Sequence, residues 1–308
     1  MRVACVDIGT NSVLLLVAER SEGGGVVPVV DRATITRLGE GVDASGELAP
    51  AARERTLRCL QGYAEEARRL GASRVLAVGT SALRDARGGA DFVREAAALL
   101  GEAPRVISGD EEARLTFRGA LAGLSLPPGP AAVVDIGGGS TEIIFGASDA
   151  AGVSLERAVS LDIGSVRLTE RYLPSDPPTA DEILALQAEV DRQLAALLPH
   201  PEATLVAVAG TATTLAAVAR EIVPYEGARV HGLSLEAAEI DALARRLAAL
   251  PVAARRALPG LEPKRADVIA AGALLLARVL RWGAWSRLTV SDRGVRWGLA
   301  LDGLAPAV

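Results

Sequence analysis

VVDIGGGSTE, residues 133–142, sets three consecutive glycines between two apolar runs and brackets them with two carboxylates, Asp135 and Glu142. One or two glycines suffice for a hairpin, so the third predicts a turn whose bare backbone is approached by something else. A turn of small residues whose N–H groups point one way is an anion nest. The motif occurs twice, because VDIGTNSVLLLV (6–17) lies over VDIGGGSTEIIF (134–145) without a gap and shares its Val, Asp, Ile, Gly and Ser. The candidate phosphate-binding residues are therefore Gly9, Thr10, Asn11 and Ser12 in one turn and Gly137, Gly138, Gly139, Ser140 and Thr141 in the other. Two such turns facing each other would grip a phosphate chain from both sides. Asp7 and Asp135 end strands beside groups that would carry phosphate, where a carboxylate is repelled unless a cation sits between. They imply Mg²⁺, held through oxygens and water. The competing reading is a pair of tight hairpins with turn-forming Asp side chains.

Chemistry on a phosphate gripped in this way still lacks a base. With His200 in a PHP loop and only His231 besides, a Ser-His-Asp arrangement is hard to build. A carboxylate is the available group. SGDEEARLTF (108–117) offers Asp110, Glu111 and Glu112 ahead of a helical face of Leu115 and Phe117. Acidic residues at a helix start also have a plain dipole explanation.

The elements that must hold these residues repeat as well. RATITRLG (32–39) lies over RAVSLDIG (157–164), and VLAVGTSAL (75–83) resembles VAVAGTATTL (206–215), in which an apolar strand ends in Gly-Thr and opens into a helix. A duplicated α/β unit explains the common order. Each half reads as a β-hairpin with a glycine turn, a third strand, helices and a further strand. Leu57, Leu60, Tyr63, Ala67 and Leu70 fall at helical spacing, as do Phe92, Val93, Ala96 and Leu100. Thr179 to Glu182 reads as a capping box. Further helices are expected around 235–250 and 266–281, followed by the strand RLTVSD. LSLPPGP (124–130) is the best linker by composition.

Composition narrows the function classes. A chain of 308 residues that is 50% hydrophobic can bury two cores. With 3% aromatics and a net charge of -5, it is expected to bind neither nucleic acid nor an anionic membrane. Of 33 basic residues only Lys264 is lysine, and it stands in PKR, so a Walker A loop is absent. Cys5 and Cys59 make neither a disulfide framework nor a zinc site, and no apolar run approaches the roughly 20 residues of a spanning helix. A soluble cytoplasmic protein is expected.

The ordered set VDIGTNS, VGTSALRDA, ISGDEEARL, VVDIGGGSTE, LDIGSVRLTE, VAGTATTLAA and KRADVIAAG resembles the exopolyphosphatase and guanosine pentaphosphate phosphohydrolase family. That family lies within the actin, sugar kinase and heat-shock chaperone ATPase superfamily. The resemblance runs the length of the chain. It implies an α/β fold of two duplicated actin-like (ribonuclease H-like) domains, 1–123 and 124–308, with about 298–308 returning to the first and an active-site cleft between the two. It also implies hydrolysis of terminal phosphoanhydride bonds of polyphosphate or guanosine pentaphosphate, a role in the stringent response, and a homodimer. Guanosine tetraphosphate is a further expected ligand. By resemblance Glu112 is the general base, while Asp135 and Glu142 position Mg²⁺ and the attacking water beside Asp7. Arg84 and Arg265 face the polyanion, and Gly210 and Thr211 join the substrate-binding set. Two rival readings stay open: an ATP-dependent kinase of the same superfamily, and a non-catalytic sensor of polyphosphate or guanosine tetraphosphate. GVRWGL places Trp297 where the family usually has Glu.

Overall fold

The computed structural model describes residues 1–22, 25–149 and 152–305. The chain divides into two units, one made of Met1–Gly119 and the segment from Gly294 onward, the other of Ala120–Arg293. LSLPPGP thus lies inside the second unit rather than at the division.

The first unit opens with β1 (Arg2–Ile8), β2 (Ser12–Arg20) and β3 (Val26–Ile35), then the short α1 (Val42–Ser45) and the long α2 (Pro50–Arg69). It continues through β4 (Arg74–Gly79), α3 (Ser81–Asp85), α4 (Gly89–Leu100), β5 (Arg105–Val106) and α5 (Gly109–Leu121). Its five strands lie in the order β3-β2-β1-β4-β5. The first three are antiparallel, and β4 joins β1 in parallel. β1 is apolar at consecutive positions because both faces of the sheet are covered. Ala4, Val6 and Ile8 join a core with Leu60 and Phe92 from α2 and α4. Val3 and Cys5, on the opposite pleat, join another with Leu115 of α5.

The second unit repeats the plan with β6 (Gly129–Ile136), β7 (Thr141–Asp149), β8 (Gly152–Leu161), α6 (Ser165–Tyr172), α7 (Ala180–Leu194), β9 (Thr204–Val208) and α8 (Ala209–Ala219). There follow α9 (Gly227–Val230), β10 (Ser234–Glu236), α10 (Ala237–Ala249), α11 (Val252–Arg255), a 3-10 turn over Pro263–Arg265, α12 (Ile269–Trp282) and β11 (Arg287–Val290). The order is β10-β11-β9-β6-β7-β8. β8-β7-β6-β9-β11 therefore copies the first sheet, and β10 is an added edge. Thr179 caps α7 in the reciprocal box with Glu182.

The chain then returns to the first unit as α13 (Val295–Gly303). Val295, Trp297, Leu299 and Ala300 close the core that holds Val3 and Cys5. Trp297 is 3% exposed, and its indole N–H donates to Asp31 Oδ2 at 3.2 Å beside the bidentate Arg296–Asp31 pair. The tryptophan is a core residue with its one polar atom satisfied. α13 also fixes α5. A side chain at Gly119 would collide with the Gly294 carbonyl, one at Gly298 with the Leu115 carbonyl, and Asp302 pairs with both Arg114 and Arg118. Among the described residues no helix is long and apolar enough to cross a membrane.

Candidate active site

Both glycine turns close their hairpins in the same register. Gly9 N–H donates to the Ser12 carbonyl and Gly137 N–H to that of Ser140, each at 3.0 Å. In the second hairpin Asp135 stands directly across from Glu142, while in the first Asp7 stands across from Leu14. The paired carboxylates thus belong to one repeat only. Glu142 is 2% exposed and accepts a 2.8 Å hydrogen bond from Ser160 Oγ. Asp7 and Asp135 are half-buried.

The orientation of the turns follows from what their carbonyls do. The Gly137 carbonyl accepts from Ser165 N–H, that of Gly138 from Val166 and Arg167 N–H, and that of Gly139 from Arg167 Nε at 2.8 Å. In a trans peptide the carbonyl of one residue and the N–H of the next point in opposite directions. The amides of Gly138, Gly139 and Ser140 therefore all point away from the 164–167 segment, three donors on one side. The first turn does the same with two. The Thr10 carbonyl accepts from Gly39 N–H and that of Asn11 from Thr36 and Arg37 N–H, so the amides of Asn11 and Ser12 point the other way. Such convergent donors suit a phosphate oxyanion. Asn11 is 6% exposed, and neither its Oδ1 nor its Nδ2 meets a hydrogen-bond partner. A buried amide left so is costly and marks a place where a polar ligand would be welcome.

Two glycines outside the turns make this possible. A Cβ at Gly164 would lie 2.5 Å from the Gly138 oxygen, and one at Gly39 would overlap Thr10. Both were missed as site residues, although each ends its copy of the aligned pair RATITRLG and RAVSLDIG.

Glu112 lies in the first turn of α5 and is 7% exposed. Its Oε2 receives Arg84 Nη1 at 2.6 Å, and the same nitrogen donates to the Ile107 carbonyl at 3.0 Å. Burial pushes the Glu112 carboxyl above its ordinary range; the hydrogen bond and charge of Arg84 oppose the rise and the charge of Asp85 adds to it. A buried carboxyl so raised is a stronger base than a solvated one. Arg84 follows the β4 end, where Val78 pairs with Asp7, and is expected from the sequence to face the polyanion. Here it is the partner of Glu112.

In the second unit Val208 pairs with Asp135, and the chain turns into α8 through Ala209, whose φ is 64°. Thr211 is buried. A side chain at Gly210 would overlap the Arg265 guanidinium, so glycine there lets the cation lie over the helix start. Burial lowers the Arg265 pKa against the opposing charges of Tyr225 and Glu262. Behind it Arg255, 2% exposed, donates to the carbonyls of Leu247 and Ala266 at 2.7 and 3.0 Å. It fixes the segment next to Arg265. Ser291 Oγ and Asp292 Oδ1 do gather at His231, but both at Nδ1, at 3.3 and 3.2 Å. A relay needs them on opposite ring nitrogens, so this is not a nucleophilic triad.

The Ppx/GppA phosphatase model matches residues 16–306. The chain belongs to the Ppx/GppA phosphatase family. It is similar to exopolyphosphatase 2 of Mycobacterium tuberculosis, at 43% identity over 98% of each chain. Among solved structures, an exopolyphosphatase-like protein superposes with a TM-score of 0.92 at 33% identity, covering 98% of this chain and 97% of that one. The Aquifex aeolicus family member gives 0.83 at 33% identity over 99% and 97%. As a Ppx/GppA protein the chain is a phosphoanhydride hydrolase with the two-domain actin-like α/β fold of that family.

Among the described residues no cluster of three or more His, Cys, Asp or Glu is arranged to enclose an ion. Mg²⁺ takes one or two protein carboxylates and completes its shell with water and substrate phosphates. The opposed Asp135 and Glu142 are such a hard oxygen pair.

Proposed function

We propose that this Ppx/GppA phosphatase removes the terminal phosphate of inorganic polyphosphate, or of guanosine pentaphosphate, by attack of a water that Glu112 deprotonates. The single observation that supports the phosphate grip is the set of three parallel amides, Gly138, Gly139 and Ser140, at the mouth of the hairpin that also carries Asp135 and Glu142. The exopolyphosphatase name of the 43% identical relative favours the polymer. Each chain group has a separate task. The turns donate N–H groups to phosphate oxygens, Asn11 supplies a further amide, and Arg265 adds positive charge. Glu142, held by Ser160, orients the water, and Glu112 takes its proton. Mg²⁺ held by the opposed Asp135 and Glu142 would neutralise phosphate charge. Catalysis is then positioning plus charge stabilisation. Two free thiols, Cys5 and Cys59, fit a reducing cytoplasm.

The test is release of phosphate from polyphosphates of several lengths, guanosine pentaphosphate and ATP, with Mg²⁺ and no acceptor. A kinase would release little without an acceptor, and a sensor would bind without turnover. Glu112→Gln should lower turnover by about 10² to 10⁴. Turnover within threefold of the parent chain would assign the base to another group.

A further inference from the structure

The Arg84–Glu112 pair poses a problem for the reading just given. A base must hold a proton well, yet Glu112 Oε2 is bound at 2.6 Å by a guanidinium that also bonds the Ile107 carbonyl, and that ion pair lowers the proton affinity of the whole carboxylate. Arg84 is the more exposed partner, its side chain 23% accessible against 9% for Glu112. It sits on α3, a single short turn after β4, whereas Glu112 is fixed on α5. Arginine is the cation best matched to phosphate, because its planar fork pairs two oxyanions at once. A phosphate chain therefore competes with Glu112 for Arg84 and brings more negative charge than the carboxylate does.

We propose that Arg84 is a substrate-operated latch on Glu112. With no substrate the guanidinium holds the carboxylate; an arriving phosphate draws the guanidinium off and leaves the carboxylate to accept the proton of water. The latch lies wholly within the first unit. No covalent bond changes in this step; one ion pair is exchanged for another. Asp85, whose side chain accepts from Ser81 Oγ at 3.1 Å, is the other charged neighbour of Glu112. Its charge disfavours a second anion beside it, so the released carboxylate gains in proton affinity. The device would keep the proton affinity of the base low until a phosphate is seated. The inference rests on Glu112 being the base.

Binding, not turnover, tests it. The probe is imidotriphosphate, whose P–N–P bridges resist hydrolysis, titrated calorimetrically into the full chain. If the phosphate must pull Arg84 from Glu112, then Glu112→Gln, which weakens the ion pair, should bind the probe about tenfold more tightly, at the low end of couplings for close charge pairs. Simple relief of repulsion would also tighten binding, so the cycle is completed in an Arg84→Met background. There the latch predicts that Glu112→Gln gains less than threefold. Repulsion alone predicts the same gain in both backgrounds and would overturn the proposal. Should Arg84→Met fail to fold, because it strands a buried carboxylate, Arg84→Lys serves in its place, with a reduced gain expected. Equal or weaker binding by Glu112→Gln in the parent background also refutes the latch. The two failures are distinguishable: tighter binding with near-normal turnover shows the ion-pair exchange but defeats the base and with it the latch, while lost turnover without tighter binding keeps the base and refutes the latch alone.

Discussion

Gly164→Ala tests the site without removing any group that touches substrate. The backbone at 164, φ -146° and ψ 169°, is extended and open to alanine, so conformational strain plays no part. The difficulty is contact alone. The new Cβ would lie 2.5 Å from the Gly138 oxygen, 2.6 Å from its carbonyl carbon and 2.8 Å from the Gly139 carbonyl carbon, where ordinary contact begins near 3.4 Å. All three are backbone atoms, and the Gly138 carbonyl is tied by Val166 and Arg167, so no flexible side chain can yield. The turn must move by about 0.6 to 0.9 Å to restore ordinary contact. Overpacking of this kind costs about 1–3 kcal/mol, and for a unit of this length each kcal/mol lowers Tm by about 2–4 °C. A displacement near 1 Å at groups that position a reacting phosphate costs about 10²-fold in rate. The expected result is a Tm lower by roughly 2–12 °C and a kcat/KM for polyphosphate lower by about 10- to 100-fold. Circular dichroism melts and phosphate release at a temperature where both proteins are folded provide the two readouts. A lowered Tm with kcat/KM within threefold of the parent would show that the glycine turn is not where phosphate is held.

Three other outcomes follow from single features. Ala209 carries a left-handed backbone without being glycine, so Ala209→Gly should stabilise the chain by about 1 kcal/mol, seen as a higher midpoint in urea. Gly210→Ala would push the Arg265 guanidinium aside and should raise KM for the polyanion several-fold more than it lowers kcat, by steady-state phosphate release. Because the Glu112 carboxyl is raised, the acid limb of kcat/KM should lie above the ordinary glutamate value of about 4.3. Activity then falls as pH drops through that raised value. The sign for stability is opposite: the native state holds this proton more tightly than the unfolded chain. The resulting stabilisation is complete below the unfolded pKa and fades as pH rises through the native one. A limb at or below 4.3 would contradict the assignment.

The hairpins were legible in the sequence because their register is set by a contiguous repeat. VDIGTNSVLLLV over VDIGGGSTEIIF fixes Asp7 and Asp135 at equivalent ladder positions, and the unbroken apolar runs on either side mark strands buried on both faces. Pairing across long loops was not legible. Trp297 looked like a departure at a functional position, and only the fold brings Asp31 to its indole. The Arg84–Glu112 pair joins two motifs that were each readable, but nothing in their spacing says that the cation and the base meet. Gly164 lay in the open at the end of an aligned repeat, yet its meaning is a backbone approach that composition does not encode. Proline and glycine in LSLPPGP marked a loop but not a unit boundary, because the chain leaves the first unit at the end of a helix, α5, that is itself part of a core.

The return of α13 to the first sheet has a consequence for how the protein is made. Residues 120–293 are one uninterrupted stretch and can close as soon as they leave the ribosome. The first 119 residues cannot. Until α13 arrives, the sheet face formed by Val3, Cys5, Leu16 and Ala18 lacks that lid, and the helix that carries Glu112 lacks the Gly294 and Gly298 backbones against which it seats. At about 5–20 residues per second, synthesis of the intervening segment takes roughly 10–35 s. For that interval the first unit waits with an apolar face only partly covered by Ile107 and Leu115, and the second unit closes at the end of it, so the unit made first is the last to be finished.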